Sequence, residues 1–167
     1  MQVIDSSERV SMQPIDITEL NTFIVRAKAV TYVGGGEHSA ASRLGSHDIR
    51  FSDGEWAYHD SYFGGSDFLG EEVVYFAGRS VWAMNYYGRI LRVDLLTAAQ
   101  AGQIIKASLS RMYEEGRFLG GFKFSENNFT YVDASEGAVD SFHGREFIVR
   151  GQETAYELIY HGGLIKD

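Results

Sequence analysis

Residues 49–60 read IRFSDGEWAYHD, and residues 122–133 read FKFSENNFTYVD. Phe, Ser, Tyr and Asp recur at the same places, and Arg/Lys, Asp/Glu and Trp/Phe replace each other like for like. One inserted residue later the pattern resumes. Phe68, Gly70 and Glu72 match Phe142, Gly144 and Glu146, and Trp82, Met84, Tyr86 and Gly88 match Tyr156, Leu158, Tyr160 and Gly162. Chance yields isolated short matches rather than several in order at nearly one offset, so the chain reads as an internal repeat. Each copy is strand-like. The first apolar runs flank Asp53-Gly54 and Asn127-Asn128, residue types that accept the positive φ of a tight hairpin turn. Next come EVVYF (72–76) and EFIVR (146–150), which are β-branched or aromatic. SVWAMNYY (80–87) and TAYELIYH (154–161) alternate, which turns Trp82, Met84, Tyr86, Tyr156, Leu158 and Tyr160 inward and predicts their burial.

A helix precedes each copy. Asp16 caps the first, with Glu19 as the third-residue partner of a capping box and Ile15 and Leu20 as a hydrophobic staple. Ile17, Leu20, Phe23, Ile24, Ala27 and Thr31 then recur at helical spacing, and Gly34, Gly35 and Gly36 end the run near Tyr32. Thr97 and Gln100 open the second helix, which carries Ala101, Ile104, Ile105, Ser108, Leu109 and Met112 on one stripe and stops before Gly116. The expected fold is therefore α+β. It is an internally duplicated helix plus about four antiparallel strands, in two halves with pseudo-twofold symmetry and with the helices packed on antiparallel sheet. A flexible arm over 1–15 would precede a single domain over 16–167, with repeat one at 16–91 and repeat two at 97–167.

Composition bounds the function. With 44% hydrophobic and 23% charged residues in 167, the chain is that of an ordinary globular domain. Its formal charge of -8 would repel a phosphate backbone, so direct nucleic-acid binding is not expected. The absence of cysteine excludes disulfides, thiol nucleophiles and Cys-ligated metal. No apolar run is long enough for a spanning helix, and the first residues lack a secretory pattern, so a cytoplasmic protein with no membrane association is expected.

The segments AKAVTYVGGG (27–36), SRLGSHDIRF (42–51), WAYHDSYFGGSDFLGEEVV (56–74), VWAMNYYGRIL (81–91) and YELIYHGGLIK (156–166) together resemble a bacterial domain-of-unknown-function family. Its members occur alone or behind a helix-turn-helix of the repressor type. The resemblance implies no established activity. With no room for a DNA-binding module before Asp16, the chain would correspond to a sensor-like part standing alone.

Several constellations bear on chemistry. Gly34–Gly36 follow a helix, whereas a phosphate cradle leads into one, so they read as a helix stop. The polar stretch 37–48, EHSAASRLGSHD, has only EEGRFLGG in the corresponding place of the second copy. Within it Arg43 can pair with an anion, Ser42 and Ser46 can donate hydrogen bonds, and His47 titrates near neutral pH. A polar surface loop has the same composition. Asp60, Glu72, Asp133 and Glu146 recur at equivalent places. Two close carboxylates can divide into acid and base, yet their symmetry argues for a scaffold role. None of the histidines has the spacing of a zinc hydrolase motif, and no Gly-x-Ser-x-Gly elbow occurs, so neither a metal nor a serine nucleophile is expected. Aromatic residues, 14% of the chain, supply core and also pocket walls. Asn85 falls on the strand face opposite Met84.

The primary expectation is a small-molecule-binding or sensor-like module, not an enzyme, with no cofactor. Its ligand would lie near Arg43, Ser46, His47, Asp60, Tyr62, Glu72 and Asn85. One alternative is an enzyme on a small polar or carbohydrate-like substrate using Asp60, Glu72 and His47. Another is an interaction domain that forms a homodimer through sheet edges or exposed aromatics.

Overall fold

The computed structural model describes residues 14–36 and 38–166. Nearly all of the arm expected over 1–15 lies outside the described residues. Helix α1 spans Ile17–Lys28 and α2 spans Ala98–Glu114. The strands are β1 (His38–Ser39), β2 (His47–Asp53), β3 (Trp56–Gly64), β4 (Phe68–Phe76), β5 (Arg79–Ile90), β6 (Phe122–Glu126), β7 (Phe129–Ala138), β8 (Ser141–Arg150) and β9 (Glu153–Leu164). They form one antiparallel sheet in the order β1-β2-β3-β4-β5-β9-β8-β7-β6.

This corrects the expected α+β architecture of two halves, each a helix plus about four strands. The chain is mostly strand, and its strands make a single nine-stranded sheet with two helices. The physical reason lies at β5 and β9, which pair from Trp82↔Leu164 through Ile90↔Tyr156. Two separate sheets would each end there in a row of unpaired N–H and C=O groups, and joining them removes both edges. The Trp82 indole, fully buried, also donates to the Val139 carbonyl at 2.9 Å and so ties β5 to the β7–β8 turn. The short β1, absent from the sequence reading, extends the sheet at the β2 edge.

The hairpin turns follow their residue types. Asn127 and Asn128 both adopt positive φ between β6 and β7, and Gly54 does so between β2 and β3. Asp16 caps α1 by accepting from the backbone N–H groups of Thr18 and Glu19. The Glu19 carboxylate does not close a capping box; it accepts from the Trp56 indole at 3.0 Å. On α2 the Thr97–Gln100 box is complete. After Lys28 the helix widens into a π-helical turn, Ala29–Val33, before the glycines. Such turns are rare and recur at functional sites.

Both helices cover one face of the sheet. Leu20, Phe23 and Ile24 of α1 and Ala101, Ile104 and Ile105 of α2 share a core with Tyr58, Val74, Trp82, Tyr131, Ile148 and Tyr156. Of the six strand residues expected inside, Trp82, Met84, Tyr156, Leu158 and Tyr160 are buried and Tyr86 is half-buried. On the opposite face Leu69, Tyr87 and Ile159 are exposed. Among the described residues no helix is long and apolar enough to cross a membrane.

Candidate functional site

Where the helices part from the sheet they leave a cavity of about 400 Å³. Its floor is the inner face of β3, β4, β5, β9, β8 and β7, and its roof is the end of α1, the π-helical turn and α2. Exposed residues at its border, Gly35, Gly65, Ser66 and Ala98, mark where it opens. The walls are largely aromatic, with Tyr32, Tyr58, Tyr86, Tyr113, Phe118 and Tyr156 among them.

Register places four acids on this floor. Asp60 on β3 lies directly across from Glu72 on β4, and Asp133 on β7 directly across from Glu146 on β8. Directly opposed residues hold their Cβ atoms about 5 Å apart, so each couple meets as two like charges if both ionise. A tyrosine serves each couple. Tyr86 on β5 reaches across β4 to donate to Asp60 at 2.7 Å, and Tyr160 on β9 reaches across β8 to donate to Asp133 at 2.5 Å. Each ring passes over a glycine of the intervening strand. A Cβ on Gly70 would stand 2.3 Å from the Tyr86 ring, and one on Gly144 2.2 Å from the Tyr160 ring. These strand glycines exist because a ring occupies the space a side chain would need.

Two lysines line the cavity, Lys28 and Lys106, and Lys28 is the one ion-paired with a floor acid. Its ammonium, on a side chain only 7% exposed, lies 2.6 and 2.5 Å from the two Glu72 carboxylate oxygens and over the Phe118 ring at 5.7 Å. Burial, then the charge of Glu72, pushes the Asp60 carboxyl up to about 7, with the Tyr86 hydroxyl and Lys28 pulling the other way. Burial and then Asp133 push Glu146 up to about 8. Glu146 is nevertheless half-exposed in area, because what it meets is the cavity and not bulk water. Asp133 is likewise raised, first by burial. The hydroxyls of Tyr32, Tyr58, Tyr86, Tyr113 and Tyr156 are pushed up by burial and then by these carboxyls, so they remain protonated donors. Three buried polar atoms of cavity residues lack a hydrogen-bond partner, the Tyr156 hydroxyl, Asp133 Oδ2 and Glu72 Oε2, of which the last is in ion-pair contact with Lys28.

The structure separates the residues singled out from sequence. Asp60, Tyr62 and Glu72 line the cavity together. His47 is exposed and its ring lies tilted against Tyr62, with ring centroids 5.1 Å apart. Arg43 and Ser46 belong to the outer face. There the loop before β2 folds around Asp48, 1% exposed, which accepts from the Ser42 N–H, the Ser46 and Ser61 hydroxyls and His59. Burial alone would raise the Asp48 carboxyl, but these four donors hold it well below the usual carboxylate range. Arg43 donates to the Ser61 carbonyl at 3.2 Å and lies over Phe63 at 5.1 Å. Asn85 is exposed on the outer face, across from Glu71 and His161. Among the described residues no group of three or more metal-ligating side chains is placed to hold an ion.

Sequence reasoning missed Lys28. The signal was present, because Lys28 follows Leu20 and Ile24 at four-residue steps and so puts a charge on the buried stripe of its helix. Tyr156 was marked as inward by the alternation of its strand, whereas Tyr113 carried no such mark.

Residues 60–165 match the family described as a domain of unknown function, DUF5680. The chain belongs to that family. The matched span contains all four cavity acids with Tyr86 and Tyr160, whereas Lys28 and the π-helical turn precede it. No curated protein and no solved structure matches the chain.

Proposed function

We propose that this DUF5680 domain binds a small organic molecule in the cavity between its helices and its sheet, as a sensor-like module and not as an enzyme. The observation that carries the reading is a cavity of about 400 Å³ walled by aromatic rings around a few buried polar groups. That is the size and composition of small-molecule sites, in which apolar walls supply affinity and convergent polar groups set orientation. The loop around Asp48 supports this by exclusion, since its donors are consumed within the protein. A cytoplasmic location accords with the acidic, cysteine-free composition.

A thermal-shift screen of metabolites on the purified chain tests the reading, since a ligand that prefers the folded state raises its melting temperature. The control is Gly102→Phe. Gly102 lies on α2 at the cavity, and a Cβ there meets nothing within 4 Å, so the larger side chain starts in open space. We expect compounds that stabilise the wild type and lose that effect in Gly102→Phe. Stabilisers indifferent to this substitution, or none from a broad panel, would overturn the proposal.

A further inference from the structure

We infer that the carboxylate couple Asp133–Glu146 receives the protonated primary amine of the ligand. This rests on the cavity being the binding site and goes further, to the chemical class of what binds. The argument starts from how the cavity already holds one ammonium. Lys28 places Nζ 2.6 and 2.5 Å from the Glu72 oxygens, beneath the aromatic wall at Phe118. The first couple, Asp60–Glu72, is thereby supplied with its cation.

Among the described residues the second couple has no ion-paired cation of its own; the Lys28 charge is felt at Glu146, but its ammonium is bonded to Glu72. Counted from the capping residues, Asp16 and Thr97, the place that Lys28 holds on α1 is held on α2 by Leu109, which also lines the cavity. Among the described residues no lysine or arginine is ion-paired with Asp133 or Glu146. Arg117, whose charge is felt at Asp133, is committed to Glu115 and to the carbonyls of Leu119 and Gly121.

Acceptor capacity is also left over at this end. Asp133 is 5% exposed and uses Oδ1 for the Tyr160 hydroxyl, while its buried Oδ2 has no partner. Tyr156 is 1% exposed and its hydroxyl is unpartnered, although its ring lines the cavity. Register sets Tyr156 opposite Ile148, two residues along β8 from Glu146, so the hydroxyl stands diagonal to that carboxyl. An ammonium group has three donors and no acceptor, which suits a Glu146 carboxylate, Asp133 Oδ2 and a tyrosine oxygen. Aromatic rings around it favour a cation further. A ligand with an amine at one end and an apolar body would reproduce, on the second couple, the arrangement Lys28 makes on the first.

The test compares phenethylamine with 2-phenylethanol, which has the same skeleton with a hydroxyl in place of the ammonium, by calorimetric titration of the purified chain at about pH 9, where Glu146 is ionised and the amine still protonated. Charge-assisted hydrogen bonds predict that the amine binds about tenfold or more tightly than the alcohol. Glu146→Gln should lower amine affinity by about tenfold and leave the alcohol unchanged. Leu109→Lys, checked for folding by circular dichroism, should abolish amine binding by furnishing an internal ammonium. Equal binding of amine and alcohol, or amine binding indifferent to Glu146→Gln, would overturn the amine assignment while leaving the cavity as a site for neutral ligands. Failure of both probes would overturn it too, and the metabolite screen with Gly102→Phe then decides separately whether the cavity binds anything.

Discussion

The strands β2–β5 and β6–β9 present the same inner-face devices and differ in one charge. Each has an acid couple across neighbouring strands, a tyrosine spanning a glycine to reach the aspartate, and a helix above. Among the described residues only the first has an ion-paired lysine, Lys28 on Glu72; counted from the helix caps, Leu109 takes that place on α2. The lesson is that one scaffold is satisfied internally on one side and left with spare acceptors on the other. Such an asymmetry is hard to explain by stability alone, since a buried carboxyl without a cation is costly.

Removing the distinguishing charge should have the largest effect. Lys28→Met leaves Glu72 buried without its partner, and breaking a buried pair from one side costs about 3–5 kcal/mol. Chemical denaturation measures this, and a loss below about 1 kcal/mol would show that the two couples are not distinguished energetically by Lys28.

The acids themselves impose a pH dependence. Asp60 at about 7 and Glu146 at about 8 lie above their ordinary values of 3.8 and 4.5, so the folded state holds protons that the unfolded chain has released. Stability should therefore fall as pH rises from about 5 to about 8 and level off beyond, by at most about 1.4 kcal/mol per pH unit for each group. Asp48, shifted down, is ionised in both states across this window and adds no slope there. The charged groups facing Glu146 are Asp133, Lys28 and Glu72. Denaturation midpoints against pH should flatten in Glu146→Gln, and an unchanged profile would refute Glu146 as a source of the slope.

The glycine seats give paired tests of the two sides. Gly70→Ala and Gly144→Ala each force a Cβ into a tyrosine ring, an overpacking expected to cost about 1–3 kcal/mol. Comparable losses would show that both tyrosine spans are equally constrained. Tyr86→Phe and Tyr160→Phe remove one hydrogen bond each and should cost about 1–2 kcal/mol by the same measurement. The smallest effect is expected for Arg43→Ala on the outer face. It should lower stability by about 1 kcal/mol or less and leave binding of any cavity ligand unaltered, because Arg43 and the cavity lie on opposite faces.

Much of this was legible along the chain. The Thr97–Gln100 box, the Asn127-Asn128 turn and the inward parity of Trp82, Met84, Tyr156, Leu158 and Tyr160 are local or period-two signals, and the structure follows them. The joining of all strands into one sheet was not legible. It depends on β5 meeting β9, a pairing between distant segments that no local pattern encodes. The same limit misdirected the site. The polar loop 37–48 looked free because its partners, His59 and Ser61, come from the neighbouring strand.

The sequence by itself determined where the two helices start, where the tight turns fall and that Trp82, Met84, Tyr156, Leu158 and Tyr160 turn inward, and it showed four acids recurring in matching motifs. Periodicity and turn chemistry act over a few residues, so they can be read in order. Tertiary structure alone decided that Lys28 would reach Glu72 and that, among the described residues, no lysine or arginine would ion-pair with Asp133 or Glu146. It alone turned the Arg43 loop away from the cavity. Those outcomes depend on which helix face settles over which strand, and that is set by packing between segments far apart in the chain.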